Sequence, residues 1–207
     1  MCPAPRWSIA GAAGHRSAPR LEARARDLSA DAVTADATDS AAVDRCLTAA
    51  RDRFGRLDGV VNCVGSLLLK PAHATTDTEW ADVLAANLTS SFYVLRSAAR
   101  LMMTAGTAGP GGSIVLMASA VAERGLVNHE AIAAAKAGVV GLARSAAATY
   151  ARHRIRVNCV APGLTRTPLT AALTRTEAAV EASAALHPLG RIGEPDEVAS
   201  AVRWQAR

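Results

Sequence analysis

The chain has 207 residues, half of them hydrophobic, which is enough for one domain with its own core. Its formal net charge is +5, but aromatic residues make up only 3% and the arginines form no run, so nucleic-acid binding is not expected. No apolar run approaches the roughly 18 residues of a membrane span, so none is predicted. The four cysteines lack metal-binding spacing, which indicates free thiols in a reducing compartment and no metal site. The length predicts a single domain over residues 1–207, and a cytoplasmic location is expected because the apolar start is too short and too rich in proline for a signal peptide.

Predicted strands and helices alternate along most of the chain. Continuous apolar segments predict strands at 31–36, 57–65, 111–119 and 155–163. Longer amphipathic or apolar segments predict helices at 39–54, 76–106 and 130–152. Apolar strands separated by helices are typical of a parallel sheet that is covered on both faces, so the sequence predicts a doubly wound α/β fold.

Polar residues and glycines collect where the predicted strands end. They are Asp36, the segment Asn62 to Gly65, Ser119, and the pair Pro162 and Gly163. Ligands of doubly wound sheets bind beyond the carboxyl ends of the strands, so this edge is the expected site. Taken singly, each of these features is also what an ordinary turn requires, and only their common order and spacing point to a site.

Two polar residues fall on helices with apolar neighbours. Asn87 lies on the apolar face of the helix at 76–106, where it either holds a local helix distortion or bridges two elements. Lys136 is one of two lysines in an arginine-rich chain and lies among Ala, Gly and Val. An ammonium can lose its proton when it is desolvated, which a guanidinium does not do. The alternative is a lysine whose stem reaches solvent.

In this order the motifs resemble those of the short-chain dehydrogenase/reductase family, over about residues 30–200. The resemblance rests on the acidic strand end at Asp36, the turn Asn62-Cys63-Val64-Gly65, Asn87, Ser119 with Lys136, the segment 156–163 and the segment 190–199. It implies a Rossmann-like, three-layer αβα fold. It also implies NAD or NADP as cofactor and a small carbonyl or alcohol substrate.

The family resemblance further implies roles for individual residues. Ser119, Lys136 and Asn87 match catalytic positions. The matching cofactor-binding positions are Asp36, Asn62, Gly65, Lys136, Pro162, Gly163 and Thr167. By resemblance, Asp36 holds the adenine amino group, Lys136 the nicotinamide ribose and Thr167 the carboxamide.

The same resemblance implies a homo-oligomer, a dimer or tetramer, in contact through the helices at 76–106 and 130–152. The small apolar residues of the second helix, which we expect on its outer surface, support this interpretation. They are Ala135, Gly138, Val139, Leu142 and Ala146.

The tyrosine of the family's active site is absent. Ile132 stands at its position, thirteen residues after Ser119 and four before Lys136. An alkyl side chain cannot transfer a proton, and general acid–base groups contribute roughly 10²–10⁴-fold to rate. His129, one helical turn earlier, is an alternative proton donor, although a loop histidine before a helix is an equally ordinary interpretation.

The two ends of the chain also depart from the family pattern. Gly11 matches the phosphate loop, but His15 and Ser17 stand where glycines would let a backbone approach pyrophosphate. Alternatively, 8–14 is the second strand and the first is absent, which would put His15 and Arg16 where basic residues read a 2′-phosphate. We therefore expect an incomplete first βαβ unit, with 1–29 as a divergent or truncated cofactor-binding start, and no last strand.

Three interpretations remain open at this point. The first is an oxidoreductase of this family whose activity is impaired by the missing tyrosine. The second is a non-catalytic binding or subunit-partner protein. The third is a truncated product without a stable function.

Overall fold

The structure is a computed structural model that describes residues 8–12, 18–103 and 111–206. The described strands are β1 Ser8–Ala12, β2 Asp31–Ala35, β3 Gly59–Asn62, β4 Gly112–Met117 and β5 Ile155–Val160. The described helices are α1 Ala18–Asp27, α2 Ser40–Phe54, α3 Asp77–Leu84, α4 Ser90–Met103, α5 Glu130–Tyr150, α6 Glu177–Ala184 and α7 Pro195–Ala206. The predicted elements are therefore all present within these ranges, with strands that end one to three residues earlier because the polar strand ends form turns.

The described strands run parallel and form two sheets. β1 pairs with β2, and the larger sheet has the order β3-β4-β5, with Asn62, Leu116 and Cys159 side by side. In the usual strand order of a doubly wound fold, about 3-2-1-4-5-6, these strands fill positions 3-2 and 4-5-6. β1 thus takes the second position, as the alternative for 8–14 predicts. No described residue forms a strand at the first position.

Helices cover the larger sheet on both faces. On one face α4 lies between α2 and α5, and α5 packs against β4 and β5. Fully buried residues of the sheet and of α5 form the core there, among them Ile114, Leu116, Val139 and Ile155. α7 contacts β3, β4 and β5, and its end is held by Ser113 Oγ, which donates to Gln205 O at 3.1 Å. The predicted three-layer α/β fold is confirmed.

The helix predicted at 76–106 is interrupted. α3 and α4 are separated by a π-helical turn, Ala85–Thr89, and residues 104–106 lie outside the described ranges. α3 begins with a capping box in which Thr76 Oγ1 accepts from Glu79 N while the Glu79 carboxylate accepts from Thr76 N. Side-chain hydrogen bonds to backbone carbonyls hold the interruption open, and such bonds bend helices.

One described segment, Glu130–His153, is long and apolar enough to cross a membrane by length and composition. It consists of α5 and the short turn that follows. The helix packs against β4, β5, α3 and α4, and the apolar residues on its packed side, among them Ala135, Val139 and Ala143, belong to the protein core.

Candidate cofactor and active site

The turn after β3 is fastened to the π-helical turn by two buried amides. Asn62 accepts a hydrogen bond from Val64 N through Oδ1 at 3.2 Å, which closes the turn, and its Nδ2 donates to Ser91 Oγ at 3.0 Å. Ser91 Oγ in turn donates to Asn87 O at 2.7 Å. The strand end and the helix interruption are therefore parts of one hydrogen-bonded unit.

Asn87 is fully buried, and its side chain is satisfied by three partners. Nδ2 donates to Val83 O at 2.9 Å and to Ser66 Oγ at 3.1 Å, while Oδ1 accepts from Ser66 N at 3.3 Å. An unsatisfied buried amide would cost about 1–3 kcal/mol, so this arrangement removes that penalty. Both interpretations of the sequence hold at once: Asn87 maintains a helix distortion and bridges two elements.

Gly65 is where the predicted site residues converge. A Cβ at this position would lie 2.8 Å from Asn87 Oδ1 and 3.4 Å from Lys136 Nζ. The first distance is shorter than real contacts allow, so the close approach requires glycine. The turn after β3, the π-helical turn and α5 therefore meet at one point at the carboxyl ends of the strands.

Lys136 is buried, with 8% of its surface exposed. Its Nζ donates to Met117 O, the last residue of β4, at 2.8 Å. Burial lowers the pKa of Lys136 from 10.5 to about 8, since desolvation penalises the ammonium. The interpretation in which the stem carries the ammonium into solvent is therefore wrong.

Ser119 and the pair Pro162 and Gly163 lie side by side beyond β4 and β5. Ala120 N donates to Pro162 O at 2.9 Å, and Ser119 Oγ accepts from Val121 N at 3.4 Å. The predicted catalytic serine is thus placed by a short turn that begins two residues after β4. It stands near the level of Met117 O, which receives the Lys136 hydrogen bond.

Asp36 follows β2 and belongs to the smaller sheet. Its carboxylate accepts from Thr38 Oγ1 at 2.7 Å and Thr38 N at 2.8 Å, and these hydrogen bonds lower the pKa of Asp36. The next residue, Ala37, packs in a cluster with Val64 of the turn after β3. That contact brings the Asp36 turn to the same edge as the other predicted residues.

Thr167 is a predicted cofactor-binding residue that the structure does not bring into contact with Asn87 or Lys136. It lies in a turn where Thr167 Oγ1 and Thr170 Oγ1 are 3.0 Å apart and Thr170 Oγ1 donates to Thr165 O. Among the described contacts of Thr167, none reaches Asn87 or Lys136. Its link to the site is through the chain, since the turn follows Gly163.

Ile132 is 3% exposed and lies in an apolar cluster formed by Val83, Ala131 and Ala135. Partly buried residues complete the cluster, and they are Leu68, Leu84, Leu88 and Val121. The position is therefore an ordinary core position for an alkyl group. The described side chains of this cluster are all alkyl groups, so none of them can donate a proton.

The alternative proton donors lie elsewhere. His129 is at the entrance of α5, and its Nδ1 contacts Val127 O at 2.7 Å, so the ring is engaged in a local exposed turn. Tyr93 packs against Arg96 and the cluster beneath α2. Tyr150 ends α5 and packs against the main core, about 21 Å along the helix from Lys136.

Several site-forming residues were not predicted. Ser66 and Ser91 position the two asparagines, but a serine in a turn or helix carries no distinguishing pattern. His187 Nε2 accepts from Leu164 N at 3.0 Å and its Nδ1 donates to Ser183 O at 2.7 Å, which fixes the segment after Gly163. A Cβ on Gly163 would lie 2.5 Å from His187 Nε2, so the predicted glycine was the only available signal.

Comparisons with known proteins agree with this geometry. A family profile described as enoyl-(acyl carrier protein) reductase matches residues 8–206. The chain is 40% identical over 175 residues to cis-4-hydroxycyclohexanecarboxylate dehydrogenase of Sinomonas cyclohexanicum, over 84% of this chain and 68% of that protein. It is 35% identical over 177 residues to levodione reductase of Leifsonia aquatica, over 82% and 65% of the two chains.

A solved structure gives the same result. The short-chain type dehydrogenase/reductase from Mycobacterium ulcerans superposes with a TM-score of 0.88 at 29% identity, over 97% of this chain and 73% of that one. The fold and the strand-end residues thus define a doubly wound α/β protein of an oxidoreductase class. The chain belongs to the short-chain dehydrogenase/reductase family. It spans about two thirds of the length of the two relatives named above, 68% and 65%.

Proposed function

We propose that this chain is an NAD(P)-dependent oxidoreductase of a small carbonyl or alcohol substrate whose turnover is impaired by Ile132. The observation that carries the proposal is the convergence of Asn87 and Lys136 on Gly65 at the carboxyl ends of the strands. This is the edge where doubly wound proteins bind ligands. The two relatives named above are a dehydrogenase and a reductase, which supports the same reaction class.

A dinucleotide fits the described part of this edge. Gly65 allows its backbone to come close to Lys136. The Lys136 ammonium has a carbonyl partner and no carboxylate among the described residues, so it retains donors for ribose hydroxyls. Asp36 offers a carboxylate to an adenosine. His15, Arg16 and Ser17, which the two interpretations of the start of the chain place at a phosphate loop or beside a 2′-phosphate, lie outside the described residues, and Gly11 lies in β1.

Each predicted site residue has a proposed role in binding or catalysis. We assign Asp36, Asn62, Gly65, Lys136, Pro162, Gly163 and Thr167 to cofactor binding, and Ser119, Lys136 and Asn87 to the catalytic site. Ser119 Oγ would donate a hydrogen bond to the substrate oxygen, and Lys136 would hold the ribose and lend positive potential. When bound, the nicotinamide would supply hydride transfer. Asn87 keeps the turn and α5 in register.

Proton transfer is the weak step of this arrangement. A serine hydroxyl is too weak an acid to protonate an alkoxide efficiently near pH 7, and Ile132 supplies no proton. The burial of Ile132 among alkyl groups favours a second candidate function, a non-catalytic binding or subunit-partner protein. The two functions differ in turnover and share the fold.

Ile132→Tyr is the substitution that tests the proposal. We expect it to raise the rate of dehydrogenation or carbonyl reduction by roughly 10²–10⁴-fold, because it restores a general acid–base group. Ile132→Phe is the matched control, since it adds the ring without the hydroxyl. The measurement is absorbance of the reduced nicotinamide with a panel of small ketones and alcohols.

Equal rates for Ile132→Tyr and Ile132→Phe would contradict the assignment of this position. Turnover by the unmodified chain that disappears in His129→Ala would make His129 the acid. No turnover in any variant, together with tight dinucleotide binding, would favour the non-catalytic function.

Cofactor binding has its own test, which is calorimetric titration with NADH and NADPH. We expect binding weaker than micromolar, because the first βαβ unit is expected to be incomplete on either interpretation of 8–17, which leaves the amide cradle for the pyrophosphate damaged or missing. Binding at micromolar concentrations or below would overturn this expectation and show that 10–17 forms a working phosphate site.

We further propose a single domain over 1–207 with a divergent cofactor-binding start at 1–29, a cytoplasmic location, and a dimer or tetramer formed through α4 and α5. The residues that were expected on the outer surface of α5 do not support the last point. Ala135, Val139 and Ala146 are buried in the core, and a Cβ on Gly138 would lie 2.8 Å from Leu88. Exposed Phe92 on α4 and the exposed small residues of α5 remain as contact surface. Light scattering at micromolar concentration tests it, and a monomer would contradict it.

A further inference from the structure

Lys136 is a buried primary amine without a counter-charge. In the described part of the chain, its hydrogen-bond partner is Met117 O at 2.8 Å, and no carboxylate pairs with it. The titratable neighbour is the Cys63 thiol. Desolvation raises the pKa of this thiol, so the thiol is neutral near pH 7 and does not stabilise the ammonium.

The chain contains a natural comparison, because Lys70 is its other lysine. The Lys70 ammonium donates to both carboxylate oxygens of Glu79, at 2.9 Å and 2.7 Å, and the side chain is 33% exposed. The two lysines therefore differ in their surroundings, since a carboxylate engages Lys70 and a single backbone carbonyl engages Lys136.

The position of Lys136 suits a carbonyl ligand. Its Nζ lies at the carboxyl ends of β3 and β4, close to the backbone of Gly65 and near the Asn87 side chain. One helical turn earlier, Ile132 provides an alkyl group and no acid to compete for the amine. The residue is 8% exposed, and the turn beside it, Val64 to Ser66, is partly buried, so this amine lies close to the protein surface.

We propose that Lys136 is a nucleophilic amine that forms an imine with small aldehydes. The neutral Nζ adds to the carbonyl carbon and gives a carbinolamine. This intermediate loses its hydroxyl group with one proton as water, and the carbon–nitrogen double bond forms. No oxidant or reductant takes part, and the step is reversible.

The lowered pKa of about 8 supports the proposal. Near pH 7.5 the neutral fraction of such an amine exceeds that of an ordinary lysine, with a pKa of about 10.4, by roughly a hundredfold. Desolvated lysines are the ones that proteins use for Schiff-base chemistry. The inference does not depend on oxidoreductase turnover.

Reductive trapping tests it. The folded protein is incubated at pH 7.5 with propionaldehyde and cyanoborohydride, which delivers hydride to the imine carbon and leaves a stable secondary amine. After tryptic digestion, the modified residue is mapped by mass, since alkylation at Lys136 prevents cleavage within Gly125–Arg144. We expect labelling of Lys136 at least about tenfold faster than Lys70. The α-amino group is mapped separately.

Two controls make the result specific. In the denatured chain both lysines have ordinary pKa values, so the ratio of their rates should approach one. Lys70→Arg should leave labelling of Lys136 unchanged, whereas Lys136→Arg should remove the mass shift from Gly125–Arg144. Equal rates for the two lysines in the folded protein, or no labelling of Lys136, would overturn the proposal.

Addition of NADH or NADPH separates this inference from the proposed function. Slower labelling of Lys136 with dinucleotide supports both, since the ribose and the aldehyde would compete for one amine. Fast labelling that dinucleotide does not change supports the imine and contradicts the cofactor assignment. Tight dinucleotide binding without labelling in its absence sinks the imine alone.

Discussion

Both sheets of the molecule consist of parallel strands, but the larger sheet is covered by helices more completely than the smaller one. In β4, Ile114 and Leu116 are fully buried between α4, α5 and α7. In β2, Val33 is 39% exposed, and on β3, at the border between the sheets, Val61 is 38% exposed. An open face at this border accords with an unfilled first strand position among the described residues. The larger sheet therefore carries most of the packing.

The site is divided in the same way. Asn62, Asn87 and Lys136 are buried and joined through the larger sheet and its helices. Asp36 is attached to the smaller sheet and is held by local hydrogen bonds to Thr38. The three buried residues lie where the packing is dense, and Asp36, which we propose for the adenosine end, lies where it is sparse.

The largest test of this difference compares Ile114→Ala with Val33→Ala. Ile114→Ala should lower the free energy of unfolding by about 2–5 kcal/mol, because it leaves a cavity in a fully buried position. Val33→Ala should cost about 1 kcal/mol or less, since the side chain is partly in water already. Denaturant unfolding measures both. If Ile114→Ala does not fold, Ile114→Val should still cost about 0.5–1.5 kcal/mol. Similar costs at Ile114 and Val33 would contradict the difference between the sheets.

Lys136→Met tests whether the buried ammonium in the densely packed part of the site lowers the stability of the folded protein. Because the folded pKa of Lys136 is about 8 and the unfolded value is about 10.4, burial of the ammonium costs stability near pH 7. Removing the charge should therefore raise the free energy of unfolding at pH 7, on the order of 2 kcal/mol after the lost bond to Met117 O is counted.

The pH dependence of this effect has a defined sign. Between about pH 8 and pH 10.4 the unfolded chain binds more protons than the folded one at this group, so the wild-type protein gains stability as pH rises. The advantage of Lys136→Met should shrink across that window. Lys70→Met is the control, because it breaks the ion pair with Glu79 and should slightly destabilise. If Lys136→Met instead lowers the free energy of unfolding at pH 7, the buried ammonium does not destabilise the folded protein.

The sequence predicted the strands and the strand-end residues well, because apolar runs ending in Asn, Ser and Pro-Gly have strong local meaning. Asn62, Gly65 and Ser119 all lie where their motifs predicted. The π-helical turn at Asn87 was not predictable in form, since it depends on Ser66 and Ser91, which are brought there by tertiary contacts.

The face of α5 was predicted incorrectly for a related reason. Ala135, Val139 and Ala146 were expected outside, but Val139 and Ala146 are buried in the cluster that contains the sheet residues, and Ala135 is buried against Val83 of α3. A helix rich in Ala, Gly and Val has apolar residues on every side, so its periodicity does not tell the inner face from the outer one. Only the packing against β4 and β5 decides it.

Gly65→Ala tests how tightly the dense half of the site is assembled. Its Cβ would meet Asn87 Oδ1 at 2.8 Å, so one of the two must move, and we expect a loss of about 1–3 kcal/mol. Gly141→Ala on α5 is the matched control, because no atom lies within 4 Å of its Cβ position. That change should stabilise by up to about 1 kcal/mol through helix propensity. Thermal or denaturant unfolding distinguishes the signs, and a neutral Gly65→Ala would mean that the turn after β3 is loosely held.

The smallest expected effect belongs to the smaller sheet, at Asp36→Asn. The hydrogen bonds from Thr38 Oγ1 and N hold the pKa of Asp36 below its usual value, so the charged form stabilises the folded state. That contribution is present above the unfolded pKa of about 3.9 and is lost as pH falls through the lowered folded value. Asparagine keeps an acceptor for Thr38, so the cost near pH 7 should not exceed about 0.5 kcal/mol in this partly exposed turn, and it should vanish at low pH. Thr38→Val removes the hydroxyl donor and should raise the Asp36 pKa, as NMR titration would show. A cost above about 1 kcal/mol for Asp36→Asn would mean that the Asp36 turn is as firmly integrated as the turn at Gly65, and the distinction between the two halves of the site would fail.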